Sequence, residues 1–95
     1  MSDPDEGLSL PEIVALVRGI ARGAGVIAYT NHAEDRMRER ELSTLDCEHA
    51  LRAGVIEETD ADARGRCFRA RTHRMELVFR LRTRANVLIV TVIAT

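Results

Sequence analysis

Lysine is absent from the 95 residues, and all 14 basic side chains are arginine. Codon usage in a GC-rich genome is the plain reading of such a bias. The physical consequence stands regardless: every cation here is a planar fork able to grip phosphate or carboxylate through two N–H groups. Aromatic residues are scarce, with one Tyr and two Phe. That leaves little for stacking on unpaired bases and argues against sequence-specific single-strand readout. Cysteine is limited to Cys47 and Cys67, too few for a disulfide framework. No C-x-x-C, H-E-x-x-H or phosphate-cradling glycine loop occurs. Cys47-x-His49 is only a partial ligand pair, so neither a metal nor a cofactor is expected. Nothing places a base beside either thiol, which excludes a cysteine nucleophile from the expectations. The longest apolar run, "VLIVTVIA", is strand length and far short of the roughly 18 residues that span a bilayer. The acidic start "MSDPDEG" lacks the basic opening of a secretion signal. A cytosolic protein with reduced thiols and no membrane contact is expected.

A net charge of −1 conceals a strong asymmetry. Up to Asp62 fourteen acids face six arginines, whereas from Ala63 onward eight arginines face Glu76 alone. A basic half suits nucleic acid or an acidic partner. It equally suits self-compensation, with acidic helices packed on a basic sheet.

Residues 1–8 read as a disordered acidic tail and 9–95 as a single α+β domain. Ser9 and Glu12 fit a capping box ahead of an apolar helical period, Leu10, Ile13, Val14, Val17, Ile20 and Ala21, that ends at Gly23 and Gly25. "VIAYT" reads as a short strand. Asn31 can cap a second helix whose apolar stripe is thin, Ala33 and Met37. Ser43 and Asp46 open a third helix that Gly54 stops. Leu45, Ala50, Leu51 and Ala53 are expected to supply its buried side. "TDADARG" reads as a polar loop between strands. "MELVFRLR" alternates, with Met75, Leu77, Phe79 and Leu81 on one face. "VLIVTVIA" is apolar on both faces, as a central strand would be. The element order predicts helices on one face of a mostly antiparallel sheet of three to five strands.

Two constellations could carry chemistry. His32, Arg36 and Arg40 recur every four residues, so each step rises about 6 Å along a helix. That spacing approaches the separation of neighbouring phosphates, and the stripe borders the inward Ala33/Met37 stripe. A neutral imidazole beside guanidinium groups can act as a general base. The alternative is a solvated face with the local pairs Glu34–Arg38 and Arg36–Glu39. On the strands, Arg69 and Arg71 share one face and Arg80 and Arg82 share another, with His73 in the turn between. A hairpin would gather four guanidinium groups into a phosphate-binding surface. The same arginines could instead be neutralised by nearby acids.

The segments "HAEDRMRERELS", "HALRAGVIEE" and "VLIVTVI" together resemble a small bacterial family of unknown function (the domain of unknown function 4258 type). That family is itself similar to RelE-like and MqsR-like toxin ribonucleases. The resemblance spans about Tyr29 to Ile93. It implies a RelE/MqsR-like small α+β domain, metal-independent mRNA cleavage and a small antitoxin protein covering the basic face. Its motif positions fall on His32, Arg36, Arg40 and Thr91, while Ile93 stands where the family often carries tyrosine. The leading expectation is a toxin-like endoribonuclease acting on RNA. In it His32, Arg36, Arg40 and Arg80 do the chemistry, and Arg69, Arg71, His73, Arg82 and Thr91 hold the phosphates. The alternative is a non-catalytic module in which Arg36 and Arg40 pair with acids such as Glu57 and Glu58. Its basic face would then hold an acidic partner or a second copy of the chain.

Overall fold

The computed structural model describes residues 4–94. Ser9 caps helix α1 (Leu10–Gly19) in a capping box with Glu12, and Pro11 sits in the first turn where its missing N–H costs nothing. A π-helical turn, Ile20–Ala24, follows and is broken by Gly23 at φ 109°. Strand β1 (Val26–Tyr29) then leads into helix α2 (Asn31–Glu39). The cap of α2 is Thr30, not the expected Asn31. Thr30 arrives extended because its N–H is held by the Ile89 carbonyl at 3.0 Å. Its hydroxyl donates to Val90 O at 2.7 Å and accepts from Ala33 N at 3.0 Å. One side chain thus joins the end of β1, the start of α2 and strand β5.

Helix α3 (Thr44–Ala53) opens on the expected Ser43/Asp46 box. Its buried residues are Cys47, Ala50 and Leu51. Leu45 and Ala53, expected inside, are exposed. Leu45 lies two residues before Cys47, about 200° around the helix. Ala53 falls where the helix runs out toward solvent.

Four strands complete the chain: β2 (Val55–Asp62), β3 (Gly65–Arg71), β4 (Met75–Thr83) and β5 (Asn86–Ala94). Most of the "TDADARG" segment expected as loop belongs to β2, which bulges between Thr59 and Asp62. Adjacent strands β2 to β5 pair antiparallel, as the expected mostly antiparallel sheet requires. β1 pairs parallel with β5, giving the order β1-β5-β4-β3-β2. The architecture is α+β with a mostly antiparallel open sheet. β5 lies inside the sheet between β1 and β4, as its two-faced apolar pattern suggested.

Alternation on β4 sends Met75, Leu77, Phe79 and Leu81 inward, where all four are buried. Phe68 on β3 lies opposite Phe79, and the rings stack at 5.5 Å. Ile13 and Val17 of α1, Ala33 and Met37 of α2 and Leu51 of α3 join the same apolar cluster. The other sheet face carries Glu57, Arg69, Arg71, Glu76 and Arg80, which alternation directs away from that cluster.

The acidic N-terminal segment divides in two. Residues 1–3 lie outside the described residues. Residues 4–7 form a turn in which Asp5 is buried. Arg66 Nη1 donates to Asp5 O and to Leu8 O, each at 2.9 Å. Its other edge grips both oxygens of Glu58 at 2.8 and 2.9 Å, and its plane lies 5.2 Å above the Phe68 ring. Residues 4–8, expected as part of a disordered tail, are therefore tied down by Arg66.

Candidate functional site

The strand arginines do not form one basic patch. Register explains it: Arg69 lies across from Val78 and from Glu57, and Arg71 lies across from Glu76. Glu57 Oε1 stands 3.9 Å from Arg69 and 3.8 Å from Arg71. Glu76 stands 3.6 Å from Arg69 Nε, too far for a hydrogen bond, and that buried nitrogen has no hydrogen-bond partner. Arg80 turns away to Asp62, with Nη1 to Oδ2 at 2.6 Å. Only 12% of the Arg80 side chain is exposed, so it serves the fold more readily than a ligand. The Arg64 N–H, and after it the Cys67 and Arg80 side chains, hold the Asp62 carboxyl below its ordinary range. Arg82 is exposed, and Thr91 is half-buried on β5 opposite Val78.

The α2 stripe is open to solvent. His32 and Arg40 are exposed, and Arg36 pairs with Glu39 at 3.7 Å as expected. Arg38 pairs with Asp35, where Glu34 was expected. Arg40 is not in the helix body but is its C-cap. Pairing of Arg36 or Arg40 with Glu57 and Glu58 does not occur. Those two acids are held by Arg69 and Arg71 and by Arg66. Among the described residues no carboxylate pairs with both the α2 stripe and the strand arginines.

A different cluster converges at the end of α3. Gly54 brings the helix close against β3: a Cβ there would stand 2.5 Å from Ala50 O and 2.8 Å from Arg71 O. Arg18 of α1 fixes this end from behind, donating to Leu51 O at 3.2 Å and Gly54 O at 3.1 Å. Those bonds supply carbonyls the helix terminus leaves unpaired. In front opens a cleft of about 530 Å³ lined by His49, Ala53, Gly54, Val55, Arg71, Thr72 and His73. Thr72 shapes the β3–β4 turn. Its N–H bonds Met75 O at 2.9 Å, and its hydroxyl accepts from Arg74 N and Met75 N at 3.2 and 3.3 Å. His73 is carried on that turn. Arg74 reaches Asp46 at 3.6 Å, linking the turn to the start of α3. Asp46 is held below its ordinary range first by the Ser43 N–H, with smaller contributions from Arg74 and His49.

His73 was an expected site residue, and the fold gives it a second histidine as company. His49 was legible only as half of a weak metal motif. The missing signal was geometric: His49 lies one helical turn before Ala53, on the side of α3 that meets the end of β3. Among the described residues no group of three or more His, Cys, Asp or Glu is placed to hold a metal ion. Both thiols are buried. Burial first, then the charges of Asp46 and Glu48, push Cys47 up to about 11. Such a thiol is a poor nucleophile near neutrality. Among the described residues no helix is long and apolar enough to cross a membrane.

Residues 29–94 match the model of a family described as Domain of unknown function (DUF4258). The match runs from the last residue of β1 to the end of β5 and so contains both the α2 stripe and the cleft. No curated protein and no solved structure matches the chain.

Proposed function

Since the chain belongs to the DUF4258 family, whose description names no activity, we propose a function from the chemistry of its own residues: a toxin-like, metal-independent endoribonuclease. The observation that carries this reading is that His49, His73, Arg71 and Thr72 line one cleft. In the proposed reaction the 2′-hydroxyl of a bound ribose attacks its own phosphorus. One imidazole takes the hydroxyl proton as the new O–P bond forms. The other gives a proton to the departing 5′ oxygen as the old P–O bond breaks. The products are a 2′,3′-cyclic phosphate and a 5′-hydroxyl. Arg71 faces the charge that builds on the non-bridging oxygens. Histidine suits both proton transfers because imidazole exchanges protons near neutral pH.

His32, Arg36 and Arg40 then serve as a contact for flanking phosphates, where exposure and four-residue spacing are assets. Arg82, exposed at the end of β4, offers a further cation to the RNA backbone, whereas Arg69, on the outer sheet face and paired with Glu57, does not join the α2 contact. Arg80, tied to Asp62 and nearly buried, drops out of the chemistry. A small antitoxin protein fits this reading as the partner that restrains the activity in the cell.

The test is cleavage of RNA in EDTA by the purified chain. Expected is a 2′,3′-cyclic phosphate product, with loss of about 10²–10⁴-fold in rate in His49→Ala or His73→Ala. His32→Ala should weaken binding without removing the chemistry. Full activity in both cleft variants with loss in His32→Ala would move the reaction centre to α2. No cleavage by any of them would sink the nuclease reading.

A second reading, a non-catalytic module, is favoured by one observation. Arg66, Arg69, Arg71 and Arg80 all stand opposite the chain's own carboxylates. The basic half is then compensated internally and the cleft binds without reacting. RNA retained on the chain without any cleavage would select it.

A further inference from the structure

We infer that the free edge of β1 and the two clefts beside it are a docking site for an extended segment of another protein, apolar at alternate residues and basic at its ends. The site lies apart from the His49/His73 cleft, and the argument does not depend on the nuclease reading.

β1 is one edge of the sheet. Val26 N–H donates to Ala85 O at 2.8 Å, and Thr30 N–H donates to Ile89 O at 3.0 Å. Bonding groups alternate along a strand, so the even-numbered residues face β5. The N–H and C=O of Ile27 and Tyr29 therefore point to the open side. No loop or helix backbone among the described residues bonds them. They offer the unpaired ladder that an added strand completes.

The opposite edge is guarded. β2 carries Glu57, Glu58, Asp60 and Asp62 and is bulged between Thr59 and Asp62. Charges and bulges of that kind discourage pairing. β1, "VIAY", has neither device.

Two clefts adjoin the β1 edge and share Tyr29 and Thr44. One, of about 470 Å³, includes Met37 and Leu42. The other, of about 280 Å³, includes Ile20, Ala21 and Ile27. A strand laid along β1 sends every second side chain toward this apolar side. Leu45, 72% exposed, follows Thr44, which lines both clefts, and adds uncovered apolar surface beside them.

Charge identifies the ends of the occupant. Glu34 lines one cleft and Glu48 the other. Neither is in an ion pair among the described residues, and the Arg38 of the first cleft is taken by Asp35. A basic residue at each end of the incoming segment meets an acid. A second copy of this chain is the wrong occupant. Two β1 edges paired about a two-fold axis would bring Glu34 of each toward Glu48 of the other.

The probe is a blocked heptapeptide, Arg-Val-Thr-Val-Thr-Val-Arg, titrated against the full ¹⁵N-labelled chain beside its Glu-ended counterpart. Expected are shifts and slowed exchange of the Ile27 and Tyr29 amides, with the Arg-ended peptide at least about tenfold tighter. The double variant Glu34→Lys/Glu48→Lys, on exposed and half-buried positions, should reverse that order. Three results would overturn the inference. One is no response at Ile27 and Tyr29 up to roughly millimolar peptide. Another is a preference that charge reversal leaves unchanged. The third is a dimer of the free chain with those two amides already protected, which would assign the edge to a second copy.

Discussion

Gly54→Ala separates two reasons for a glycine and tests the geometry on which the His49/His73 cleft rests. Gly54 sits at φ −75°, ψ 170°, a conformation any residue adopts. On backbone grounds alone alanine would stabilise the fold by about 0.4–1 kcal/mol, because it restricts the unfolded chain. Space argues the other way. The added Cβ would meet Ala50 O at 2.5 Å and Arg71 O at 2.8 Å, both main-chain atoms that cannot swing aside. Relieving those contacts means parting the end of α3 from the end of β3. Forced overpacking of this kind costs about 1–3 kcal/mol. The expected net loss is roughly 1–2 kcal/mol, a fall in Tm of about 5–15 °C for a chain of this size. Urea unfolding followed by circular dichroism measures it, with the midpoint lowered and the slope unchanged. Amide shifts of the variant should concentrate at His49, Arg71 and His73. A Gly54→Ala protein as stable as wild type, or more so, would refute the close approach and the cleft wall built on it.

Arg18→Met keeps the apolar stem of the side chain but removes both bonds to the α3 carbonyls. Hydrogen bonds to a charged group contribute about 1.5–3 kcal/mol each at most, so a loss near 2 kcal/mol is expected by urea unfolding. A change under about 0.5 kcal/mol would show that water replaces the guanidinium there. Asp62→Asn gives a pH signature. Asp62 has its folded-state pKa depressed, so its contribution is complete above the unfolded-chain value and is lost as pH falls through the folded one. The Tm of wild type should exceed that of Asp62→Asn near neutrality, with the gap closing in acid. A gap that stays constant into strong acid would remove the bonds of the Asp62 carboxylate, to the Arg64 N–H first and to Arg80 after it, from the account.

Much of the fold was legible because its signals are local. The Ser9 and Ser43 boxes, the β4 alternation and the stop at Gly54 each lie within a few residues of the structure they specify. The Thr30 cap was hidden because the deciding partner, β5, is 60 residues away. Leu45 misled because its side chain is apolar while its helical phase points outward. The arginines show the limit most clearly. Their type and strand faces were readable, but their partners depend on register. Arg69 and Arg71 meet Glu57 while Arg80 meets Asp62, a division no periodicity contains. The cleft needed the same long-range knowledge, because His49 and His73 come from a helix and a turn that only the packed sheet brings together.

The parallel pairing of β1 with β5 also sets a schedule for synthesis. β2 to β5 pair with sequence neighbours, so each hairpin can close soon after its second strand emerges. β1 pairs across 60 residues. At about 5–20 residues per second, its partner follows some 3–12 s later on the ribosome. During that interval both edges of "VIAY" lack a partner, and the most apolar short strand of the chain is the one that waits longest. A chaperone or a co-translated partner that covers β1 in that window would act before the domain has closed.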